Sequence, residues 1–195
     1  MNQAHYESSV TLQALPLAPQ TAWSAADAVA VVLTRPLNEA EWRMMREFVR
    51  GVTAEDMRLR FGRPLDFRDE TTMRRFFDVN AGTGEIVCML DAHGEIVGVL
   101  HRILISPCEA ELALLVRSDR KRAGIGETLL RIEIARAAGC HLQTLRALVL
   151  YENTAMLRLA RKAGFVSRRM NGPAVELELE VSLNVGAKSA GVRPQ

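Results

Sequence analysis

Residues 110–139, AELALLVRSDRKRAGIGETLLRIEIARAAG, constrain this chain more than any other stretch. An apolar run long enough for a buried strand, Ala110–Val116, leads into a basic loop with two glycines one residue apart, Gly124 and Gly126. An amphipathic helix follows and ends near Gly139, which reads as its C-cap. A strand, a short basic glycine loop and a helix start present backbone N–H groups to an anion. Glycine lets the backbone pass close to a ligand with no Cβ in the way. The Walker pattern is excluded, because Gly126 is followed by Glu127 and Thr128 rather than Lys and Ser/Thr. The dinucleotide fingerprint is excluded too, because its third glycine falls on Leu129. What remains is basic-x-x-Gly-x-Gly, from Lys121 to Gly126, a shape suited to a pyrophosphate.

The rest of the chain supplies a domain around that loop. Val29, Val31 and their neighbours in AVAVVLTRPL (28–37) read as a strand stopped by Pro36. Asn38 with Glu41 forms a capping box for a helix ending at Gly51. Thr53 caps a second helix closed by Gly62, and ETTMRRFFDV (70–79) fits a third. EIVCMLD and EIVGVLHRILI read as strands joined by the turn AHG. After the glycine-loop helix come a buried strand, TLRALVL (144–150), a helix from Asn153 to Lys162, and a strand pair, FVSRRM and AVELELEV, around NGP. The last strand alternates apolar and acidic residues, which predicts one buried and one wet face and leaves open whether it ends the sheet or pairs across a dimer. Residues 1–27 read as an arm, poorly ordered or docked, residues 28–183 as one domain, and residues 184–195 as a flexible tail.

Charge excludes some classes. Twenty-five basic against 23 acidic residues give a net charge of +2, which does not point to bulk nucleic-acid binding. No apolar run reaches transmembrane length, and the N-terminal residues lack the basic-then-apolar order of a signal peptide. Cys88, Cys108 and Cys140 are an odd number without metal-ligand spacing and read as reduced thiols of a cytoplasmic protein. His5, His93, His101 and His141 have no metal spacing either, and His101, in a strand, reads as core before substrate-facing.

The glycine loop does not stand alone. AELALLVRSDRKRAGIGETLL and ENTAMLRLARKAGF, with RPLNEAEWRMMREFVRGVTAEDMRLRF upstream, resemble the GNAT superfamily of N-acetyltransferases, and within it the bacterial protein lysine acetyltransferases of the Pat type. The resemblance covers roughly residues 30 to 182. It implies an α/β GNAT fold: a mixed, mostly antiparallel sheet of about six to seven strands with a splayed central pair, flanked by helices on both faces. It also implies acetyl-CoA as cosubstrate and no metal. Carried over by position, the pantetheine arm falls on Leu114, Leu115 and Val116. The pyrophosphate falls on Lys121, Arg122, Ala123, Gly124, Ile125, Gly126 and Glu127, with Thr128 close by. Asn153 caps its helix and in the family also bonds near the pantetheine, while Met156, one turn on, lies beside the ligand or in the core.

Glu111 is the candidate catalytic residue. Glu111, Ala113 and Leu115 share one strand face, and a carboxylate in an apolar strand is costly unless paired or functional. In the Pat-type enzymes the matching glutamate is the general base. An amine with a pKa of about 10.4 needs one before it can attack a thioester. The structural alternative pairs Glu111 with an arginine such as Arg102, and Glu109 is the second candidate base. The tyrosine that many GNAT enzymes use as general acid is replaced by Ala160, and Tyr151 lies elsewhere. The implied acceptor is a protein lysine side chain. A small-molecule amine and a non-catalytic acetyl-CoA-binding sensor are the alternatives, with the protein a monomer or homodimer and neither nucleic acid nor membrane as partner.

Overall fold

The computed structural model describes residues 29–67, 69–77, 84–168 and 172–181. The arm (1–27) and tail (184–195) lie outside the described residues. Seven strands form one sheet: β1 (Val29–Leu33), β2 (Gly84–Leu90), β3 (Ile96–Ser106), β4 (Glu109–Val116), β5 (Thr144–Leu150), β6 (Val166–Arg168) and β7 (Ala174–Glu180). Their order is β1-β2-β3-β4-β5-β7-β6, antiparallel throughout except for β4 with β5. Among the described residues five α-helices accompany them, α1 (Glu39–Arg50), α2 (Ala54–Phe61), α3 (Glu70–Phe77), α4 (Ile125–Gly139) and α5 (Thr154–Lys162), with a short 3-10 turn at Ser118–Arg120.

The local signals act as the chain predicts at most boundaries. Asn38 and Glu41 close a complete capping box on α1, and Gly62 ends α2 in the left-handed region at φ 74°. Asp69 caps α3 by accepting from Thr72 N–H at 2.8 Å. Two boundaries differ, and one more is not described. β1 stops at Leu33, short of Pro36, where Arg35 turns aside to hold Glu41 at 2.9 Å. The expected end of the third helix falls among residues 78–83, outside the described residues. Gly139 is the last residue of α4 rather than its cap; Cys140 follows, and the left-handed turn is taken by His141 at φ 60°.

The sheet buries both faces. Leu129, Leu130, Ala137, Leu157 and Ala160 of α4 and α5 pack on one side against Leu100, Leu112 and Leu145. Trp42, Met45, Phe48, Met57, Met73 and Phe77 of α1–α3 pack on the other against Ile86, Val99 and Leu115. Between sheet and α4 lies one polar island. Arg102 binds Glu85 at 2.6 Å and Glu133 at 2.9 Å, and Arg136 binds Glu133 at 2.8 Å and also Glu85. Glu133 is fully buried, and burial raises its pKa despite the two guanidiniums. The acidic face of β7 is not simply wet. β7 lies inside the sheet, Glu178 is buried against Arg168, and Glu176 is held by Arg146 at 3.4 Å.

Gly98 of β3 sets how closely α4 approaches. A Cβ there would meet Ile125 Cγ2 at 2.7 Å and Leu129 Cδ1 at 2.9 Å. Gly98→Ala should therefore destabilise the protein by about 1–3 kcal/mol, the usual penalty for overpacking. Urea unfolding of the two proteins checks this, and an unchanged midpoint would contradict the close approach.

Candidate functional site: a forked sheet between two cavities

β4 and β5 pair over three positions only, Glu109 with Thr144, Ala110 with Leu145 and Glu111 with Arg146. Beyond Glu111 they part. β4 stays with β3 as far as Val116, and β5 stays with β7 as far as Leu150. The fork leaves the β5-facing backbone edge of β4 without strand partners, and buried backbone groups require partners.

A cleft of about 890 Å³ opens along that edge. Leu114, Leu115 and Val116 form its strand wall, Lys121 to Glu127 its loop wall, and Asn153 and Met156 its α5 wall. All the residues expected at the acetyl-CoA site border this one cleft except Thr128, whose N–H is spent on Gly124 C=O at 3.0 Å inside α4. The loop turns through two left-handed residues, Arg122 at φ 62° and Gly124 at φ 82°. Gly124 is the N-cap of α4 and no side chain caps the helix, so its first amides and its positive dipole end face the cleft. At Gly126 a Cβ would meet Leu114 Cδ2 at 3.2 Å and Leu159 Cδ2 at 3.3 Å, so the residue has to be small.

Two carboxylates border this anion-receptive wall, and both are neutralised. Lys162 holds Glu127 at 2.8 Å and keeps its pKa below the usual carboxylate range. Asp56 of α2 is bonded by Lys121, Ser118 and Thr53; burial pushes its pKa up, but these donors outweigh burial and leave it low. Lys121 is thus not a free cation, as the sequence suggests, but a latch from the loop to α2. Thr53 N–H donates to Ser118 Oγ at 2.8 Å and Ser118 N–H to Gly51 C=O at 2.9 Å, completing the latch. A diphosphate fits what this wall offers: free helix-start amides, Arg120 and Arg122 beside them, and no uncompensated negative charge.

A second cavity, of about 420 Å³, lies on the α2–α3 side of the sheet and holds Glu111. Leu59 and Arg60 border both cavities, so α2 is the partition between them. Phe61, Phe76, Ile86, Ile103 and Leu148 give the second cavity apolar walls. Glu111 is exposed and, among the described residues, makes no hydrogen bond or ion pair. The alternative pairing with Arg102 does not occur. Arg102 stands opposite Leu112 on the other face of the sheet, engaged with Glu85 and Glu133. Glu109, the second candidate base, is held by Arg146 of β5 at 3.1 Å. Ala160 is fully buried and Tyr151 does not border either cavity, so among the described residues no tyrosine faces the fork.

Two residues of this cavity are not among the site residues expected from the sequence. His101 is buried edge-on to Phe77, with ring centroids 5.3 Å apart and Nε2 unbonded. Burial, with Arg60 nearby, pushes its pKa down to about 3. It is therefore both the core histidine and a wall of the cavity. Arg60 lies over the Phe61 ring at 4.6 Å, and desolvation lowers its pKa to about 10 although Glu111 pulls it upward. The one sequence signal for either was a polar residue at an inward strand or helix position.

Comparison with known proteins places this architecture. The acetyltransferase (GNAT) family model matches residues 39–165, and the chain belongs to that family. It is an acetyl-CoA-dependent N-acetyltransferase. Among solved structures it is similar to the GNAT domain of S. lividans PAT, with a TM-score of 0.65 and 23% identity over 78% of this chain and 90% of that one. It is also similar to spermidine N-acetyltransferase from Vibrio cholerae in complex with CoA and spermine, with a TM-score of 0.62 and 16% identity over 80% and 96% of the two chains. The N-acetyltransferase PseH of Campylobacter jejuni matches with a TM-score of 0.54 and 18% identity over 80% and 99%. These identities speak to the fold. Among the described residues no helix is long and apolar enough to cross a membrane, and no cluster of three or more His, Cys, Asp and Glu could hold a metal ion.

The histidine gives a test of the cavity's interior. Its folded pKa lies below the ordinary 6.5, so between about pH 6.5 and 3 the unfolded chain binds a proton that the native protein refuses. Stability from this group therefore falls as pH falls, by at most about 1.4 kcal/mol per unit. Urea midpoints taken from pH 7 to 5 should decline, and His101→Leu should flatten the decline. An equal slope in both proteins would mean that His101 titrates freely.

Proposed function

We propose that this enzyme moves the acetyl group of acetyl-CoA onto a lysine side chain of a protein, with Glu111 as general base. The observation that carries the reading is Glu111 itself: a carboxylate with no hydrogen bond or salt bridge among the described residues, at the apex of the fork, in a cavity with apolar walls that shares α2 with the diphosphate-receptive cleft. Bound acetyl-CoA supplies the thioester. The free amides at the start of α4 and the two arginines beside them hold the diphosphate, while the unpaired edge at Leu114–Val116 offers backbone donors and acceptors to the pantetheine. The apolar walls suit the methylene stem of a lysine, whose ammonium reaches Glu111. Glu111 takes one proton from that ammonium; the neutral nitrogen bonds to the thioester carbon, the C–S bond breaks, and the second nitrogen proton passes through water to the departing sulfur. A thiol with a pKa near 8.5 is a fair leaving group without a protein acid, consistent with Ala160 at the position where a tyrosine would stand. The resemblance to the Pat-type enzymes favours a protein lysine. The cavity volume of about 420 Å³ would also admit a small free amine.

Glu111→Gln should lower the rate of CoA release at least about a hundredfold, the usual size of a general-base contribution. Its affinity for acetyl-CoA, measured by isothermal titration, should be unchanged. Full activity in that variant would remove Glu111 from the chemistry. In the second variant, Gly126→Val, the added methyls would enter the space between Leu114 and Leu159, and acetyl-CoA affinity should fall about tenfold or more. An unaltered titration would place the cosubstrate elsewhere.

A further inference from the structure

The Glu111 cavity has a charge balance that amine acetylation does not require. Its ionisable borders besides Glu111 are Arg60, Arg75, Glu85 and His101. Glu85 is committed to the opposite face of the sheet, between Arg102 and Arg136. His101 stays neutral above about pH 3. Two guanidiniums thus face one carboxylate among the described residues. Neither guanidinium forms a salt bridge among the described residues. Arg60 is partly buried on α2 over the Phe61 ring, where desolvation lowers its pKa and Glu111 nearby pulls it up, and Arg75 is exposed on α3 with no ion pair among the described residues. Their neighbours differ: Arg58 holds Glu55 and Glu152, and Arg74 holds Glu70 and Glu39. One carboxylate offsets only one of the two guanidiniums, and Arg60 is partly kept from water, so the cavity is built to receive further negative charge.

We infer that the acceptor carries an anionic group beside its amine, which Arg60 and Arg75 receive while Glu111 receives the ammonium. In a protein this is a lysine flanked by aspartate or glutamate; in a small molecule it is an amino-carboxylate. The inference rests on the reading of this cavity as the acceptor site. It sets the enzyme against polyamines and lysines in basic stretches, because a second cation would have to sit between the two arginines. Arg60 and Arg75 are then specificity residues, and Arg75, which does not border the donor cleft, is the cleaner one to alter.

The test is a set of kcat/KM values for CoA release. The acceptors are lysine peptides identical except for Asp/Glu, Gln or Arg flanks, then free lysine, lysine amide and spermidine. The expected order is acidic, neutral, basic, spanning at least about tenfold, with spermidine at the bottom. Arg75→Glu should collapse or reverse that order with acetyl-CoA affinity unchanged. A higher value for acidic peptides than for free lysine assigns the anion to a protein; the reverse assigns it to a small molecule, and either supports the inference. Equal values across the flanks, a preference for Arg flanks or spermidine, or an order untouched by Arg75→Glu would overturn it, while loss of release in Glu111→Gln kept the acceptor site itself in place. No release from any amine, or release that survives Glu111→Gln, would overturn the acceptor reading and this inference together.

Discussion

The parting of β4 from β5 governs everything else in this molecule. A parallel pair in a sheet otherwise antiparallel is joined by a crossover, here the glycine loop and α4, so the loop lands at the open end of the pair. Each strand keeps its antiparallel partner and gives up the parallel one after three positions. The result is a strip of unsatisfied backbone inside the domain, ending at a helix start whose amides are also unsatisfied. Two sets of orphan groups that would be a defect singly make one continuous polar wall when they adjoin.

Charge is sorted around that wall with the same economy. Carboxylates that would repel a diphosphate are bonded to Lys121 and Lys162, and those that hold sheet and helix together are bonded to arginines. Glu109 and Glu111 are two residues apart on one strand, yet Arg146 takes only the first. Glu111 stands opposite Arg146 at the last paired position of the two strands, but the guanidinium reaches back to Glu109 and across to Glu176 and Glu178 of β7. Glu111 is thus left without an ion pair among the described residues because the arginine opposite it is shared by three other carboxylates.

This division also explains what could be read from the chain. The glycine loop, the caps at Asn38, Thr53 and Asn153, and the strand periodicities are local, written within a turn or two, and they were legible. So was the cleft lining, because a strand, its loop and the next helix are contiguous in sequence. The partners of the ionisable groups were not. Arg102 meets Glu133 across 31 residues and Glu109 meets Arg146 across 37, contacts that depend on strand order and on which face each residue occupies. Arg102 and Glu111 looked like neighbours because their strands are adjacent; the register placed them on opposite faces. The second cavity was the least legible part, since Arg60, Arg75, His101 and Glu111 come from four separate elements.

Gly98 carries a consequence for the energetics of ligand capture. Because β3 offers no side chain there, Ile125 and Leu129 bed directly on the strand, and the first turn of α4 is clamped from below while the Lys121–Asp56 latch clamps the loop from the side. The amides that would grip a diphosphate are therefore already aligned in the free protein. The entropy of ordering them is absorbed during folding, so it is not subtracted again from the affinity for each incoming molecule.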